Sequence, residues 1–236
     1  MARLRRVVLP GHPHLLIQRA RRGTPAFGDA ADHVLYLQHL RAAAADIGVE
    51  IHAYGLWADE VRLLVTPHHD DALAALMQSV GRRYVRAFNL RYGHSGSPWE
   101  GRFRSTVVEA GDFFLNCLRF VEAPGDGAAA GPAGSSPAAT TSVGHHLGER
   151  IDALISHHPT IWALGNTPFE REAAYRRLVA DAMGAERLAS ILRASANGWA
   201  LGSPAFVLEV GQLSGRRCAP APRGRPRKIS GTAAAD

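Results

Sequence analysis

The sequence predicts an α+β domain built on an antiparallel sheet, and three observations carry that reading. Short alternating segments read as strands, and segments of helical period stand between them. Their order is strand, helix, strand, strand, helix, strand, helix, which layers helices on a sheet. A chain of 236 residues with 46% hydrophobic content can bury a substantial core.

The first strand is expected over Leu15 to Arg19, entered from the turn Pro10–Gly11 and left through the basic loop "RARRG". The first helix spans "DAADHVLYLQHLRAAAADIG", with Asp29 as N-cap, Gly48 as stop, and Val34, Leu35, Leu37 and Leu40 as its apolar stripe. "VEIHAYGL" and "EVRLLVTP" alternate as a half-buried hairpin around "WADE". A long helix opens at Asp70 or Asp71 and buries Leu73, Leu76, Met77, Val80, Tyr84 and Phe88. "GSPWEGRFRSTVVEA" reads as a turn and a strand, and "DFFLNCLRFVEA" as a short helix.

Composition divides the rest. Residues 1–122 form the α+β domain. Residues 123–144, rich in Gly, Ala, Ser and Pro and without periodicity, read as a flexible linker. Helical patterning in "GERIDALISHH", "TPFEREAAYRRLVADAMG" and "AERLASILRASANG" makes residues 145–214 a helical appendage. Residues 215–236 read as a basic, proline-rich disordered tail.

Lys plus Arg exceed Asp plus Glu by 27 to 21, a net charge of +6 that favours a polyanionic partner. No apolar run is long enough for a bilayer and no signal-peptide pattern opens the chain, so a soluble, cytoplasmic protein is expected, nucleoid-associated if it binds DNA, with no membrane partner. The two cysteines, Cys117 in a helix and Cys218 in the tail, suggest neither a disulfide nor zinc. The pairs His12/His14, His68/His69, His145/His146 and His157/His158 match no zinc spacing and read as surface or turn residues. No metal site follows from them.

The segments "RVVLPGHPH", "AYGLWADEVRLLV", "RRYVRAFNLRYG", "PWEGRF", "CLRFVEAP", "GWALGSPAF" and "RGRPRK", in this order, resemble the REP-associated tyrosine transposases of the single-tyrosine HUH superfamily. The resemblance implies a ferredoxin-like antiparallel sheet. It also implies strand cleavage and joining by a tyrosine, helped by Mg or Mn held by a His-hydrophobic-His pair on a strand. At the matching positions this chain carries Glu60 and Arg62 in "WADEVRLL", and Phe120 in "FVEAPG" where the nucleophile would stand. A phenyl ring offers no oxygen, and Arg62 offers a cation no lone pair. The expectation is therefore a catalytically degenerate, transposase-like DNA-binding protein with no cofactor, acting on hairpin or single-stranded DNA.

The alternative is an active, metal-dependent transposase with a rearranged site, using Tyr84 or Tyr92. For Glu60 and Arg62 the plain reading is an ion pair on one strand face, worth ~0.2–1 kcal/mol if exposed. Arg62 on a phosphate is the other reading. Candidate DNA contacts are Arg82, Arg83 and Arg86 on the long helix, and Trp99, Arg102 and Arg104 near the fourth strand, with Trp99 equally able to cap the core. Arg223, Arg225, Arg227 and Lys228 complete the set, in a tail like the Arg-Gly-Arg-Pro core of a minor-groove hook.

Overall fold

The computed structural model describes residues 6–123 and 139–220. The first strand, β1 (His14–Arg19), leads into α1 (Ala30–Ile47), then β2 (Val49–Leu56), β3 (Glu60–Pro67), α2 (Ala72–Tyr92) and β4 (Arg104–Val107). The sheet order β4-β1-β3-β2, antiparallel throughout, is the ferredoxin-like βαββαβ arrangement. The crossover through α1 leaves a gap between β1 and β2, and the hairpin strand β3 fills it. A two-residue strand, β5 (Thr140–Thr141), extends the β2 edge.

Local chemistry accounts for the helix boundaries. Asp29 caps α1 by accepting from the Ala31 and Asp32 amides, Asp32 returns the bond in a capping box, and Gly48 ends the helix in the left-handed region. Every residue expected to be buried on α2 is buried. On α1 the buried set is instead Asp32, His33, Tyr36, Leu40, Ala43 and Ala44, while Val34 is exposed. The stripe turns because Tyr36 and His33 pack edge-on against Phe27, an aromatic contact no helical period encodes.

Helices α1 and α2 cover one face of the sheet, burying Leu16, Tyr54, Val61, Leu63 and Val65. The other face is also covered. There α3 (Asp112–Glu122) packs with α5 (Pro159–Trp162) and α7 (Ala185–Asn197) on Leu15, Ile17, Ala53 and Leu64. Residues 145–214, expected as an appendage, thus share a core with α3 and the sheet. Strands β2 and β3 are buried on both faces except at Glu50, so the strands expected from alternation to be half-buried are covered on both sides.

Helix α6 (Pro168–Ala180) starts at a capping box between Thr167 and Glu170. The helix expected in "GERIDALISHH" is absent: α4 (Val143–His146) precedes that stretch, and Ile155 bridges to Ile51 at the sheet instead. After α8 (Pro204–Ser214), Cys218 packs with Val107, Phe206 and Val210, and its carbonyl accepts from the Ala200 amide. The expected tail therefore does not begin at 215. Residues 124–138 of the expected linker and 221–236 of the tail lie outside the described residues. No helix among the described residues is long and apolar enough to cross a membrane.

His14, expected at the surface or in a turn, is structural, and so is His52 on β2. His14 is fully buried; its Nδ1 donates to the His12 carbonyl and its Nε2 accepts from the Leu9 amide. His52, at a bulge in β2, donates from Nδ1 to the Ser156 carbonyl and accepts the Thr66 hydroxyl at Nε2, each at 2.7 Å. Burial pushes both imidazoles down from 6.5 to about 4.

Two outcomes test this packing. Gly55 on β2 lies under α3, where an added Cβ would collide with the Val121 carbonyl oxygen. Gly55→Ala should cost about 1–3 kcal/mol in urea denaturation, as overpacking does. Because the unfolded chain binds protons that His14 and His52 refuse when folded, stability should fall as pH drops from 6.5 to about 4, where the contribution of these two rings is exhausted. Each histidine should contribute on the order of 3 kcal/mol, and His52→Gln should flatten the slope.

Candidate functional site

Alternation on β3 sends Val61, Leu63 and Val65 toward α1 and α2, and Glu60, Arg62 and Leu64 toward α3. Glu60 and Arg62 form the expected ion pair, Nε to Oε1 at 2.5 Å. The pair is buried, with side chains only 9% and 7% exposed, so the surface-pair magnitude does not apply. Antiparallel register sets Arg19 opposite Glu60, and its Nε reaches the other carboxylate oxygen at 2.7 Å. One carboxylate therefore stands between two guanidiniums.

Arg62 extends under the end of α3. Its Nη1 donates to the Phe120 carbonyl at 2.8 Å and the Ala123 carbonyl at 3.2 Å, two acceptors that a helix C-terminus leaves unpaired. The guanidinium carbon lies 4.3 Å from the centre of the Phe120 ring and 5.5 Å from the Trp57 ring. The positions 60, 62 and 120, matched only by resemblance, thus meet in space on one face. The phosphate reading of Arg62 fails because the guanidinium is buried and committed to protein acceptors.

These residues do not fit a divalent cation. Arg62 supplies positive charge where a ligand would supply a lone pair, and Glu60 already binds two arginines. Among the described residues no group of three or more His, Cys, Asp or Glu is placed to hold a metal ion. Tyr84 and Tyr92 sit on α2, across the sheet from Glu60 and Arg62. The buried Tyr84 hydroxyl donates to the Ala26 carbonyl at 2.6 Å, and burial raises its pKa. Tyr92 donates to Asp32 at 2.9 Å and is pushed up to about 12 by burial and by that carboxylate. Both shifts oppose forming a phenolate.

The candidate DNA contacts divide by exposure. Arg82, Arg83, Arg86, Arg102 and Arg104 are at least partly open to solvent. Trp99 is buried among Phe27, Tyr36 and Tyr84, so it takes the core role and its ring is closed to bases. Phe103 is also buried, with the Arg6 guanidinium 3.7 Å over its ring. Arg223, Arg225, Arg227 and Lys228 lie outside the described residues. The Arg21 amide donates to the Pro98 carbonyl and the Glu100 amide to the Arg19 carbonyl, so the exposed Arg21 and Arg22 run beside the segment leading to Arg102.

A second polar cluster escaped sequence reasoning. Glu122, two residues past Phe120, is buried and accepts from Ser142 Oγ (2.5 Å), His146 Nδ1 (2.8 Å) and Tyr175 OH (2.5 Å). Its partners lie 20, 24 and 53 residues away, so no local spacing announces them. The one available signal was an acid directly after the apolar pair Phe120 and Val121 at the end of a helix. Beside the cluster, His145 and His157 face each other with Nε2 atoms 3.0 Å apart.

No family model matches this chain, and no curated protein does. Among solved structures, a REP-associated tyrosine transposase bound to a REP hairpin is 15% identical, covering 51% of this chain and 70% of its own, with a TM-score of 0.44. A provisionally assigned transposase of Deinococcus radiodurans R1 is 29% identical, covering 46% of this chain and 87% of its own, with a TM-score of 0.35. Likenesses at this level carry no argument about function; the side chains carry it.

The Arg62 arrangement predicts strong coupling. Arg62→Ala should destabilise the fold by about 3–5 kcal/mol, since Glu60 is deprived of a partner and two α3 carbonyls of a donor. The double variant with Glu60→Gln should cost less than the sum of the single changes by at least about 1 kcal/mol, read from denaturation midpoints.

Proposed function

We propose that this chain is a transposase-type protein that binds hairpin or single-stranded DNA and lacks strand-cleavage chemistry. The observation that supports the reading is the use made of the would-be catalytic face. At the positions where metal ligands and a nucleophile would stand, a carboxylate is neutralised by Arg19 and Arg62, and a phenyl ring packs on the guanidinium. The substituted face is closed, hydrogen-bonded and bound to α3. It serves the fold and leaves the solvent-facing arginines for recognition.

Electrostatics supports the binding half. The net charge of +6 is compatible with a phosphate polymer, and Arg82, Arg83 and Arg86 extend from α2 toward solvent. Arg82 and Arg86 are one helical turn apart and so share a side of the helix. Arg21, Arg22, Arg102 and Arg104 supply a second exposed basic group near the β1–β4 end of the sheet. Arg223, Arg225, Arg227 and Lys228 would add phosphate or minor-groove contacts.

A hairpin-forming single strand, incubated with the protein and Mg²⁺ or Mn²⁺, separates the outcomes. Salt-dependent binding without a covalent protein–DNA product is expected. Arg82, Arg83 and Arg86 changed together to Gln should lower the salt slope by about 0.7 for each phosphate left unneutralised. Truncation after residue 220 should weaken binding without abolishing it. A covalent adduct would sink the inactivity claim, and no affinity at low salt would sink the binding claim.

A further inference from the structure

Outside the Arg62 face the chain builds a cavity of about 500 Å³, within the range of small-ligand sites. Its walls come from α4, the turn after it, α5 and α6, and include His146, Arg150, Trp162, Arg171 and Glu172. Trp162 is 54% exposed, unlike Trp57 and Trp99 in the core. The Arg171 guanidinium lies 4.4 Å from the Trp162 ring centre. Ile151 and Phe169, at 94% and 80% exposed, flank the same segments.

The protonation states of the wall exclude one class of ligand. His145 Nδ1 accepts from the Asp152 amide, so its Nε2 carries the proton and donates to His157 Nε2. Two facing imidazoles would suggest a soft cation, but the lone pair such an ion needs on His145 is replaced by a proton. Burial lowers the pKa of both rings, to about 4 for His145, so they remain neutral donors and acceptors.

What remains is an aromatic surface beside two cations and fixed acceptors. Arg150 donates to the Thr141 carbonyl and Arg171 to the Gly165 carbonyl, and with five N–H groups each has further donors to offer. Glu122 accepts from His146 Nδ1, so in the neutral ring Nε2 is the nitrogen left as an acceptor. Glu172 adds a carboxylate acceptor across Gly148. Stacking, anion pairing and acceptance from an amino group are contacts that a nucleotide with an amino-bearing base can make together.

We propose that this cavity binds a nucleoside monophosphate unit, with the base on Trp162, the phosphate on Arg150 and Arg171, and the base's amino edge toward His146 and Glu172. The unit is either a free nucleotide or an unpaired nucleotide of a strand. The strand form rests on the DNA-binding reading above; the free form does not. Because Tyr175 lies in the cavity wall and also donates to Glu122, the site is tied to the same end of α3 that Arg62 holds.

Isothermal titration of the full chain with dAMP, dCMP, dGMP, dTMP and inorganic phosphate tests the site, and an unpaired tetranucleotide tests the strand form. Saturable binding of an amino-bearing nucleotide is expected, weakened about tenfold or more in Trp162→Ala and in Arg171→Gln. Trp162 is exposed and Arg171 half-buried, so unchanged melting in these variants shows that the loss is local. A tetranucleotide binding far tighter than any mononucleotide identifies a strand site, and the reverse identifies a free-nucleotide site. Phosphate binding as tightly as the nucleotides, full affinity in both variants, or no binding of any probe would overturn the proposal. Hairpin affinity that survives in Trp162→Ala while nucleotides fail to bind rejects this cavity alone. Nucleotide binding without hairpin affinity rejects the DNA-binding reading alone.

Discussion

A guanidinium between a sheet and the end of a helix organises one half of this molecule. Arg62 lies in the middle of a strand buried on both faces, where an unpaired charge would cost several kcal/mol. It is tolerated because Glu60 accepts one of its donors and the C-terminal carbonyls of α3 accept another. Those carbonyls also carry the negative end of the helix dipole, so charge and hydrogen bonding act together. Gly55 removes the last obstacle, letting the α3 backbone approach β2 more closely than any side chain would allow.

The seating of α3 propagates outward. Glu122, fixed at its end, gathers Ser142 and His146 from α4 and its cap and Tyr175 from α6, and so joins α4 and α6 to the sheet. Arg119, also buried, donates to the Asp181 carbonyl just past α6. The second layer is therefore held by polar contacts on α3 as well as by apolar packing. The face that carries Glu60, Arg62 and Phe120 is thereby closed and committed to structure. The arginines of α2 and the cavity beside α6 are what the chain leaves open to solvent.

Much of the βαββαβ unit was legible locally. The cap at Asp29, the stop at Gly48 and the buried side of α2 follow from short-range rules and came out as expected. The α1 stripe departs from its period because His33 and Tyr36 pack on Phe27, so polar-looking positions turn inward. The stretch at 148–158 has helical spacing, yet it is pinned to the sheet edge through Ile51 and Ile155, and a tertiary bridge overrides the period. Cys218 belongs to a tail by composition. A small apolar pocket from Val107, Phe206 and Val210 holds it instead.

The amino-acid sequence alone determined the antiparallel α+β class, the positive charge and the chemical identity of Glu60, Arg62 and Phe120. Those depend on local periodicity, on composition, and on which atoms a side chain possesses. Only the tertiary structure decided that Arg62 clamps α3, that Trp99 is core while Trp162 is open, and that Glu122, His146 and Tyr175 share one cluster. Each of these is a meeting of residues far apart in the chain. Burial on both faces of β3, completed by helices well downstream of it, turned an acid–base pair on one strand into an internal fastening.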